Sequence, residues 1–183
     1  YRRMAENAEK SFNRVFWNER EKCLYDCVEN SERDESTRPN QIFAISLPYP
    51  VVSGSKQLDI LEVVERDLLT PFGLRSLTPR DSRYIGRYTG NRYSRDSAYH
   101  QGTVWAWLIG PYVTAHVRAR GKGEAVRSEA KNLLDRFYSH LTEAGVGTVS
   151  EIFDGDPPHT PRGCISQAWS CLLYTSPSPR DRT

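Results

Sequence analysis

Glu151 is the residue of this 183-residue chain whose sequence neighbours best suit acid and base chemistry. It lies between Val149 and the pair Ile152-Phe153, next to glycine-rich sequence. A carboxyl group that apolar neighbours partly shield from water can have its basicity tuned, which a proton acceptor in hydrolysis requires. The residue types leave a second interpretation open, in which Glu151 caps the following turn or pairs with Arg162.

Asp154 and Asp156 are the nearest other acidic residues, and they stand on either side of Gly155. An aspartate beside a glycine usually builds a turn, because its short side chain bonds to the local backbone. We therefore predict that neither aspartate is a catalytic acid and that His159 is a loop residue.

The four cysteines do not form a metal-binding pattern. Cys23, Cys27, Cys164 and Cys171 match neither a CxxC pair nor a Cys/His zinc spacing. We predict separate thiols in a reducing, cytoplasmic environment, and no metal site.

Apolar residues that recur every three to four positions predict helices over much of the chain. In the first of these helices, Met4, Ala8, Phe12 and Phe16 form one apolar stripe. The third is predicted to be capped by Ser53 or Ser55. The predicted helices run up to Trp17, over 42–47, from 58 to about 70, over 100–120 with a kink at Pro111, over 124–144 and over 165–169.

Two segments lack this periodicity. Residues 18–37 are polar and predict a loop with a short ribbon. Residues 72–97 predict a loop of about 25 residues, whereas connections in a compact domain normally take about 4–6. Tyr84, Tyr88 and Tyr93 are interleaved with arginines in this loop, which favours a binding surface over an ordinary linker.

Alternating strands are nearly absent from the sequence pattern, so we expect an all-α fold. Its helices would pair in hairpins joined by short and long loops. An α/α toroid fits this rhythm, and such toroids carry function on the long loops at one rim.

Five sequence blocks carry a family resemblance. They are Arg38-Pro39-Asn40-Gln41, Leu69-Thr70-Pro71-Phe72-Gly73-Leu74-Arg75, Tyr99-His100-Gln101-Gly102-Thr103-Val104-Trp105, Glu151-Ile152-Phe153-Asp154-Gly155, and Gly163-Cys164 with Gln167-Ala168-Trp169-Ser170. In order and spacing they resemble the C-terminal catalytic domain of glycogen debranching enzymes. The resemblance implies the C-terminal portion of an (α/α)6 toroid with long rim loops, here a partial domain over residues 1–170. It also implies an amylo-alpha-1,6-glucosidase that removes the single α-1,6-linked glucose at a branch point.

The chemistry implied by this resemblance is inverting hydrolysis of a glycosidic bond by two carboxyl groups. One protonates the leaving oxygen and the other activates water, with the two groups roughly 6.5–9.5 Å apart. Glu151 falls in the segment that carries the family's general base. The general acid is expected to be an aspartate upstream of residue 1, so the chain is expected to need an upstream part of the same polypeptide and to be inactive alone. The reaction needs no cofactor.

Sugar recognition needs aromatic faces for the C–H surface of glucose and polar groups for its hydroxyls. His100, Gln101 and Trp105 supply both types, and Asn40 and Gln41 add amides. We predict these five residues as the binding site for a branched α-glucan or maltooligosaccharide. Core packing remains open for Trp105, and a loop-anchoring role remains open for His100.

The composition argues against other classes of partner. A net charge of +2, with arginines scattered among carboxylates, does not predict a nucleic-acid surface. The longest apolar stretches fall short of the roughly 20 residues that a membrane span needs.

The end of the sequence departs from the family pattern. After Ser170 a short apolar run gives way to a segment in which Pro177 and Pro179 disfavour a helix. We expect residues 171–183 to be a non-native or flexible tail.

Three functions are consistent with the sequence. The first is the debranching α-1,6-glucosidase. The second is another toroidal carbohydrate hydrolase, of trehalase, invertase or glucoamylase type, because a fold does not select a substrate. The third is a non-catalytic helical module that binds glycan or a protein partner.

Overall fold

Helices form close to most of the predicted positions in the computed structural model, which describes residues 1–170 of the chain. The first helix ends at Phe16, one residue before Trp17, and helical backbone also occurs at residues 168–170. The helices in chain order are α1 (Arg2–Phe16), α2 (Phe43–Ser46), α3 (Ser55–Asp67), α4 (Arg92–Ala98), α5 (Ile109–Arg120), α6 (Glu124–Asp135) and α7 (Phe137–His140).

Nine short strands accompany the helices in the described part of the chain. They are β1 (Trp17–Asn18), β2 (Cys23–Leu24), β3 (Cys27–Glu29), β4 (Glu32–Asp34), β5 (Leu69–Thr70), β6 (Gly73–Arg75), β7 (Val104–Trp105), β8 (Ile152–Phe153) and β9 (Pro161–Arg162). Strands β1 and β2 pair, as do β3 and β4, so the ribbon predicted in residues 18–37 is confirmed. The other five form one antiparallel sheet in the order β5-β6-β7-β8-β9.

This five-stranded sheet shows that the prediction of an all-α toroid was wrong, because the fold mixes helices with an antiparallel sheet. Each strand of the sheet has only two or three residues, which is too short for apolar and polar positions to alternate visibly. The central strands β7 and β8 are buried, so they read as plain apolar runs. Such runs cannot be told from buried helix by periodicity alone.

The predicted helix over residues 100–120 is the clearest local error. Residues Val104 and Trp105 form strand β7, a 3-10 turn covers Ala106–Leu108, and the helix begins only at Ile109. Pro111 therefore lies in the first turn of α5. Backbone N–H groups there have no helical partner, so a proline does not interrupt the helix.

Two smaller predictions also need correction. Helix α3 has Gly54 before its first residue, with φ +64°, and no side-chain cap from Ser53 or Ser55. The segment 72–97 is not one long loop, because it contains β6 and α4. Asn91 caps α4 by accepting a hydrogen bond from the Ser94 backbone N–H at 2.9 Å.

The hydrophobic core lies between the sheet and helices α2, α3 and α5. Sheet residues Leu74, Val104, Ile152 and Phe153 are fully buried in it. Gly73 lets β6 approach β7, since a Cβ atom there would lie 2.3 Å from the Trp105 carbonyl oxygen. This packing fixes the backbone on both sides of Trp105 and immediately after Glu151.

The helices within residues 1–170 are all too short or too polar to cross a membrane. The predicted tail, with Cys171, lies outside the described residues. The domain boundary at residue 170 stays a prediction.

Candidate active site

Glu151 stands immediately before strand β8, with only 8% of its surface exposed. Its Oε1 atom accepts hydrogen bonds from the Tyr99 hydroxyl at 2.5 Å and from Gln167 Nε2 at 3.2 Å. Its Oε2 atom accepts one from the Cys164 backbone N–H at 3.0 Å. Three segments of the chain therefore converge on one carboxyl group.

The electrostatic surroundings of Glu151 keep it ionised. Burial by itself raises the pKa of this carboxyl, but hydrogen bonds from Tyr99, Cys164 and Gln167 to the charged form lower it by more. The net result is a pKa below the ordinary value of 4.5. At neutral pH Glu151 is thus a carboxylate that can accept a proton.

The backbone around Glu151 explains why these donors meet there. Its N–H donates to the Cys164 carbonyl at 2.9 Å, which holds the segment after β9 against it. Gly163 makes this approach possible, because its φ is +68° and a Cβ atom would lie 2.5 Å from Glu151 Oε2. The backbone N–H of Gln167 is bound to the Val149 carbonyl at 3.3 Å, which brings its amide within reach.

His140 contacts the residue that precedes Glu151, and the sequence did not indicate this role. It is fully buried, and its Nε2 accepts a hydrogen bond from the Ser150 backbone N–H at 3.1 Å. Its Nδ1 lies 3.1 Å from Glu143 Oε2, and its ring packs edge-on against Phe153. The residue before Glu151 is therefore tied to helix α7.

An open cavity of about 640 Å³ lies next to this carboxylate. The rings of His100 and Trp105 are stacked on its wall, with centroids 5.1 Å apart and planes 5° from parallel. Tyr99 meets both rings edge-on. The aromatic and polar side chains on the wall are Phe43, Tyr99, His100, Trp105, Trp107, Trp169, Asp26, Arg38, Asn40, Ser76 and Gln101.

Four of the five predicted sugar-binding residues lie on this cavity. Trp105 is only 7% exposed, and its Nε1 donates to the Tyr99 carbonyl, so it also serves the packing. Gln101 Oε1 accepts from Arg38 Nη2 at 2.8 Å. Asn40 Nδ2 donates to Asp26 Oδ1 at 2.8 Å.

The His100 side chain lines the cavity, and its backbone anchors the adjoining loop. Its backbone carbonyl accepts a hydrogen bond from Arg38 Nη1 at 2.8 Å, which anchors the turn after α4. Desolvation of its ring, and then the charge of Arg38, lower the pKa of His100. A neutral imidazole on the wall can exchange hydrogen bonds with hydroxyl groups.

Gln41 does not lie on this cavity. It is buried on the neighbouring groove, where its Nε2 donates to the Arg38 carbonyl at 3.1 Å. Its Oε1 faces the Leu24 backbone N–H at 3.5 Å. Both ends of the amide are thus directed to the backbone.

Glu151 itself does not line the cavity. It is connected to the cavity by its hydrogen bond with Tyr99. Tyr99 lines the cavity with its ring and holds Glu151 with its hydroxyl. Tyr99 stood in one of the sequence blocks, but its role could not be assigned because its partner is 52 residues away.

The alternative ion pair between Glu151 and Arg162 is not present. Arg162 pairs instead with Asp154, Nη2 to Oδ2, at 3.0 Å. Asp154 is fully buried and also accepts a hydrogen bond from the Tyr88 backbone N–H at 2.8 Å. This bond holds the segment between β6 and α4 against the end of β8. His159, in the loop, has its Nδ1 atom 3.0 Å from the Asp154 carbonyl.

No group of three or more His, Cys, Asp or Glu side chains that could hold a metal ion occurs among residues 1–170. Cys23 is buried, whereas Cys27 and Cys164 are exposed, and all three are free thiols.

The site thus combines a buried carboxylate with a neighbouring cavity whose wall carries aromatic rings and amides. Residues 1–173 match the sequence profile of the family described as Amylo-alpha-1,6-glucosidase. The chain therefore belongs to the amylo-alpha-1,6-glucosidase family, as the resemblance predicted. It is also 26% identical over 161 aligned residues to the Saccharomyces cerevisiae protein named Glycogen debranching enzyme, with 76% of this chain and 10% of that protein covered. The chain thus spans about a tenth of that relative's length.

Proposed function

We propose that this chain is part of a glycoside hydrolase that removes α-1,6-linked glucose at the branch points of glycogen or maltodextrins. Membership of the amylo-alpha-1,6-glucosidase family supports the substrate class. The observation that carries the proposal is Glu151, a buried and ionised carboxylate joined to an aromatic cavity by Tyr99.

Glu151 is the general base in this proposal. All the donors that hold it are neutral groups, and no arginine, lysine or histidine of the described chain lies within ion-pair distance of it. It keeps a full negative charge that no cation offsets. Such a carboxylate can take a proton from water without first breaking an ion pair.

The glucose would bind in the cavity beside Glu151. The stacked rings of His100 and Trp105 offer an aromatic surface for the C–H face of the sugar. Asn40 and Gln101 lie on the same wall as hydrogen-bonding groups for its hydroxyls. Gln41 supports this wall by its bond to the Arg38 backbone rather than by touching the sugar.

The proposed reaction transfers one proton at each end of the bond that breaks. Water attacks the anomeric carbon of the branch glucose and gives its proton to Glu151. The bond from this carbon to oxygen 6 of the main-chain glucose breaks, and a protonated carboxyl group supplies that oxygen with a proton. The product is free glucose with inverted configuration.

We propose that the acid is supplied by polypeptide outside this chain, upstream of residue 1. Asp26 is the carboxylate found on the wall of the cavity, but unlike Glu151 it is paired with a cation. Its Oδ1 accepts from Asn40 Nδ2, and its Oδ2 lies 3.5 Å from Arg38 Nε. The small fraction of the relative's length that this chain spans supports a contribution from another segment.

The test measures glucose release from a singly branched α-1,6-glucosyl maltooligosaccharide, with trehalose, sucrose and linear maltooligosaccharides as competing substrates. The samples are the 183-residue chain, the longer polypeptide that contains it, and this polypeptide with Glu151→Gln. Glu62→Gln, at an exposed position of α3, is the matched control. We expect glucose from the branched substrate with the longer polypeptide and the control only, and a fall of about 10²–10⁴-fold with Glu151→Gln.

Other outcomes select the alternatives. Cleavage of trehalose, sucrose or linear chains in preference to the branch would mean a different carbohydrate hydrolase. Binding of the branched substrate without hydrolysis by any of the samples would mean a non-catalytic glycan-binding module. Normal hydrolysis by the Glu151→Gln protein would remove Glu151 from the reaction.

A further inference from the structure

Tyr99 contacts both the Glu151 carboxylate and the aromatic cavity. It follows the last residue of α4 and is half-buried. Its hydroxyl donates to Glu151 Oε1, while its ring forms part of the cavity wall. We propose that Tyr99 is a positioning residue for Glu151, which fixes the carboxylate toward the sugar cavity and tunes its proton affinity.

The backbone of Tyr99 is held firmly enough for this role. Its carbonyl accepts hydrogen bonds from Thr103 Oγ1 at 2.6 Å and from Trp105 Nε1 at 3.3 Å. Its ring lies edge-on to Trp105 at 4.9 Å and to His100 at 4.8 Å. These contacts leave the hydroxyl little freedom to point elsewhere, so the ring and the carboxylate are aligned together.

The direction of the hydrogen bond is also determined. Burial, and then the hydrogen bond to Glu151, raise the pKa of the Tyr99 phenol above its ordinary value of 10. Tyr99 therefore keeps its proton and acts as the donor, and Glu151 acts as the acceptor. A donor to the charged form of a carboxyl group favours that form, so loss of the hydroxyl raises the proton affinity of Glu151.

Other titratable groups near Glu151 are a thiol, a second phenol and the imidazole of His100, whose ring contacts Tyr99 and whose pKa is lowered by burial and by the charge of Arg38. The Cys164 thiol faces Glu151 from the segment after β9, and the charge of Glu151 raises the pKa of that thiol. The Tyr88 ring lies 5.8 Å from the Tyr99 ring. Gln167, the remaining donor, does not titrate. The titration of Glu151 is therefore followed on its own carboxyl signal, separately from the titration of His100.

The first test is a titration of the glutamate carboxyl groups of the 183-residue chain by carbon-13 NMR, with Glu151→Gln used to assign the Glu151 signal. Tyr99→Phe removes the hydroxyl and keeps the ring. Tyr84→Phe is the matched control, because its hydroxyl also donates to a carboxylate, that of Asp156, at 2.9 Å. We expect the midpoint of Glu151 to move to higher pH in Tyr99→Phe and to stay in place in Tyr84→Phe. A Glu151 midpoint that is equal in the two variants overturns the proposal.

A reciprocal measurement covers the case in which Tyr99→Phe does not fold. In the native chain, the carboxylate of Glu151 disfavours ionisation of the Tyr99 phenol. The two titrations are coupled, so each residue affects the pKa of the other. Glu151→Gln is therefore expected to move the Tyr99 titration to lower pH, followed on the tyrosine ring carbons. An unchanged Tyr99 titration in Glu151→Gln contradicts the proposal.

The kinetic test rests on the proposed function. In the polypeptide that hydrolyses the branch, Tyr99→Phe is expected to lower kcat roughly 10- to 100-fold, the effect of one hydrogen bond to a charged group, with little change in KM. The acidic limb of its pH profile should move in the same direction as the Glu151 titration. If the titration moves but kcat and its pH profile do not, Tyr99 tunes a carboxylate that the reaction does not use. That result contradicts Glu151 as the base while leaving the contact itself intact.

Discussion

Glu151 and Asp154 stand on either side of the two-residue strand β8, yet their surroundings differ in charge. Glu151 accepts hydrogen bonds from a phenol, an amide and a backbone N–H, all neutral donors. Asp154 is fully buried and pairs with the Arg162 guanidinium, and it also accepts the Tyr88 backbone N–H.

We propose that this difference separates a carboxylate that reacts, Glu151, from one that holds the fold, Asp154. The charge of Asp154 is balanced by Arg162, and its other contacts tie distant segments to β8. The charge of Glu151 is stabilised by dipoles without being neutralised, so the carboxylate remains able to accept a proton. Two acidic residues three positions apart thus have different roles because of which groups other segments bring to them.

The largest effect on stability is expected at Asp154. Asp154→Asn removes the negative charge that Arg162 needs and weakens the bond to Tyr88. We expect the free energy of unfolding to fall by about 2–4 kcal/mol, since removal of one partner strands a partly buried charge. Chemical denaturation of the chain measures this, and Glu62→Gln gives the surface baseline. A loss below about 0.5 kcal/mol would mean that the pair does not hold the fold.

Gly163→Ala is expected to displace the Glu151 carboxylate and to destabilise the fold. The new Cβ atom would lie 2.5 Å from Glu151 Oε2, at a φ of +68° that side chains rarely adopt. We expect a loss of about 1–3 kcal/mol of unfolding free energy and a displaced carboxylate. Gly147→Ala is the control, because its φ of +71° is similar but nothing lies within 4 Å of the added atom. Equal losses in the two variants would show that backbone strain alone is responsible.

His140 tests the support beneath Glu151. His140→Phe keeps a ring of similar shape but leaves the Ser150 backbone N–H without its acceptor, at an expected loss of about 1–3 kcal/mol. His140→Gln can offer an acceptor again and is expected to recover part of that stability. Thermal and denaturant unfolding of both variants check the prediction. Equal stability of the two would mean that the ring, and not its nitrogen, is what the segment needs.

The smallest effect concerns acid pH. The folded-state pKa of Glu151 lies below its ordinary value of 4.5, so the folded state binds fewer protons than the unfolded state. The stabilisation from its charge is complete above that ordinary value and is lost as the pH falls through the folded-state value. The difference in unfolding free energy between the native chain and Glu151→Gln should therefore narrow below about pH 4.5. A difference that stays constant from pH 7 to pH 3 would contradict the hydrogen-bond geometry.

The helical part of the fold could be predicted from the sequence because the signal is local. The stripes of α1 and α3 repeat every three to four residues and form helices close to where they are expected. The helix predicted over 124–144 also begins as expected, but it is divided at Arg136 into α6 and α7 and ends at His140. The sheet could not be predicted in the same way, because its pairs join residues far apart, such as Leu74 with Trp105 and Trp105 with Ile152. Each strand is too short to carry a pattern of its own.

The site shows the same division. Glu151 and the motif around His100 could be selected by residue type and family resemblance. The contacts that define their surroundings come from Tyr99, Cys164 and Gln167, at separations of 13 to 52 residues. The amides of Asn40 and Gln41 predict sugar binding by both residues, but the 3-10 turn over Pro39–Ile42 directs the two side chains to different surroundings.

The most direct test compares Glu151→Gln with Asp154→Asn in the longer polypeptide, with glucose release from the branched substrate expressed per folded molecule. We expect Glu151→Gln to remain folded and to lose about 10²–10⁴-fold in rate. We expect Asp154→Asn to lower the folded fraction while the molecules that stay folded keep most of their activity. The proposed division of roles between the two carboxylates is contradicted if folded Glu151→Gln protein releases glucose at the native rate, or if Asp154→Asn abolishes the reaction without any loss of stability.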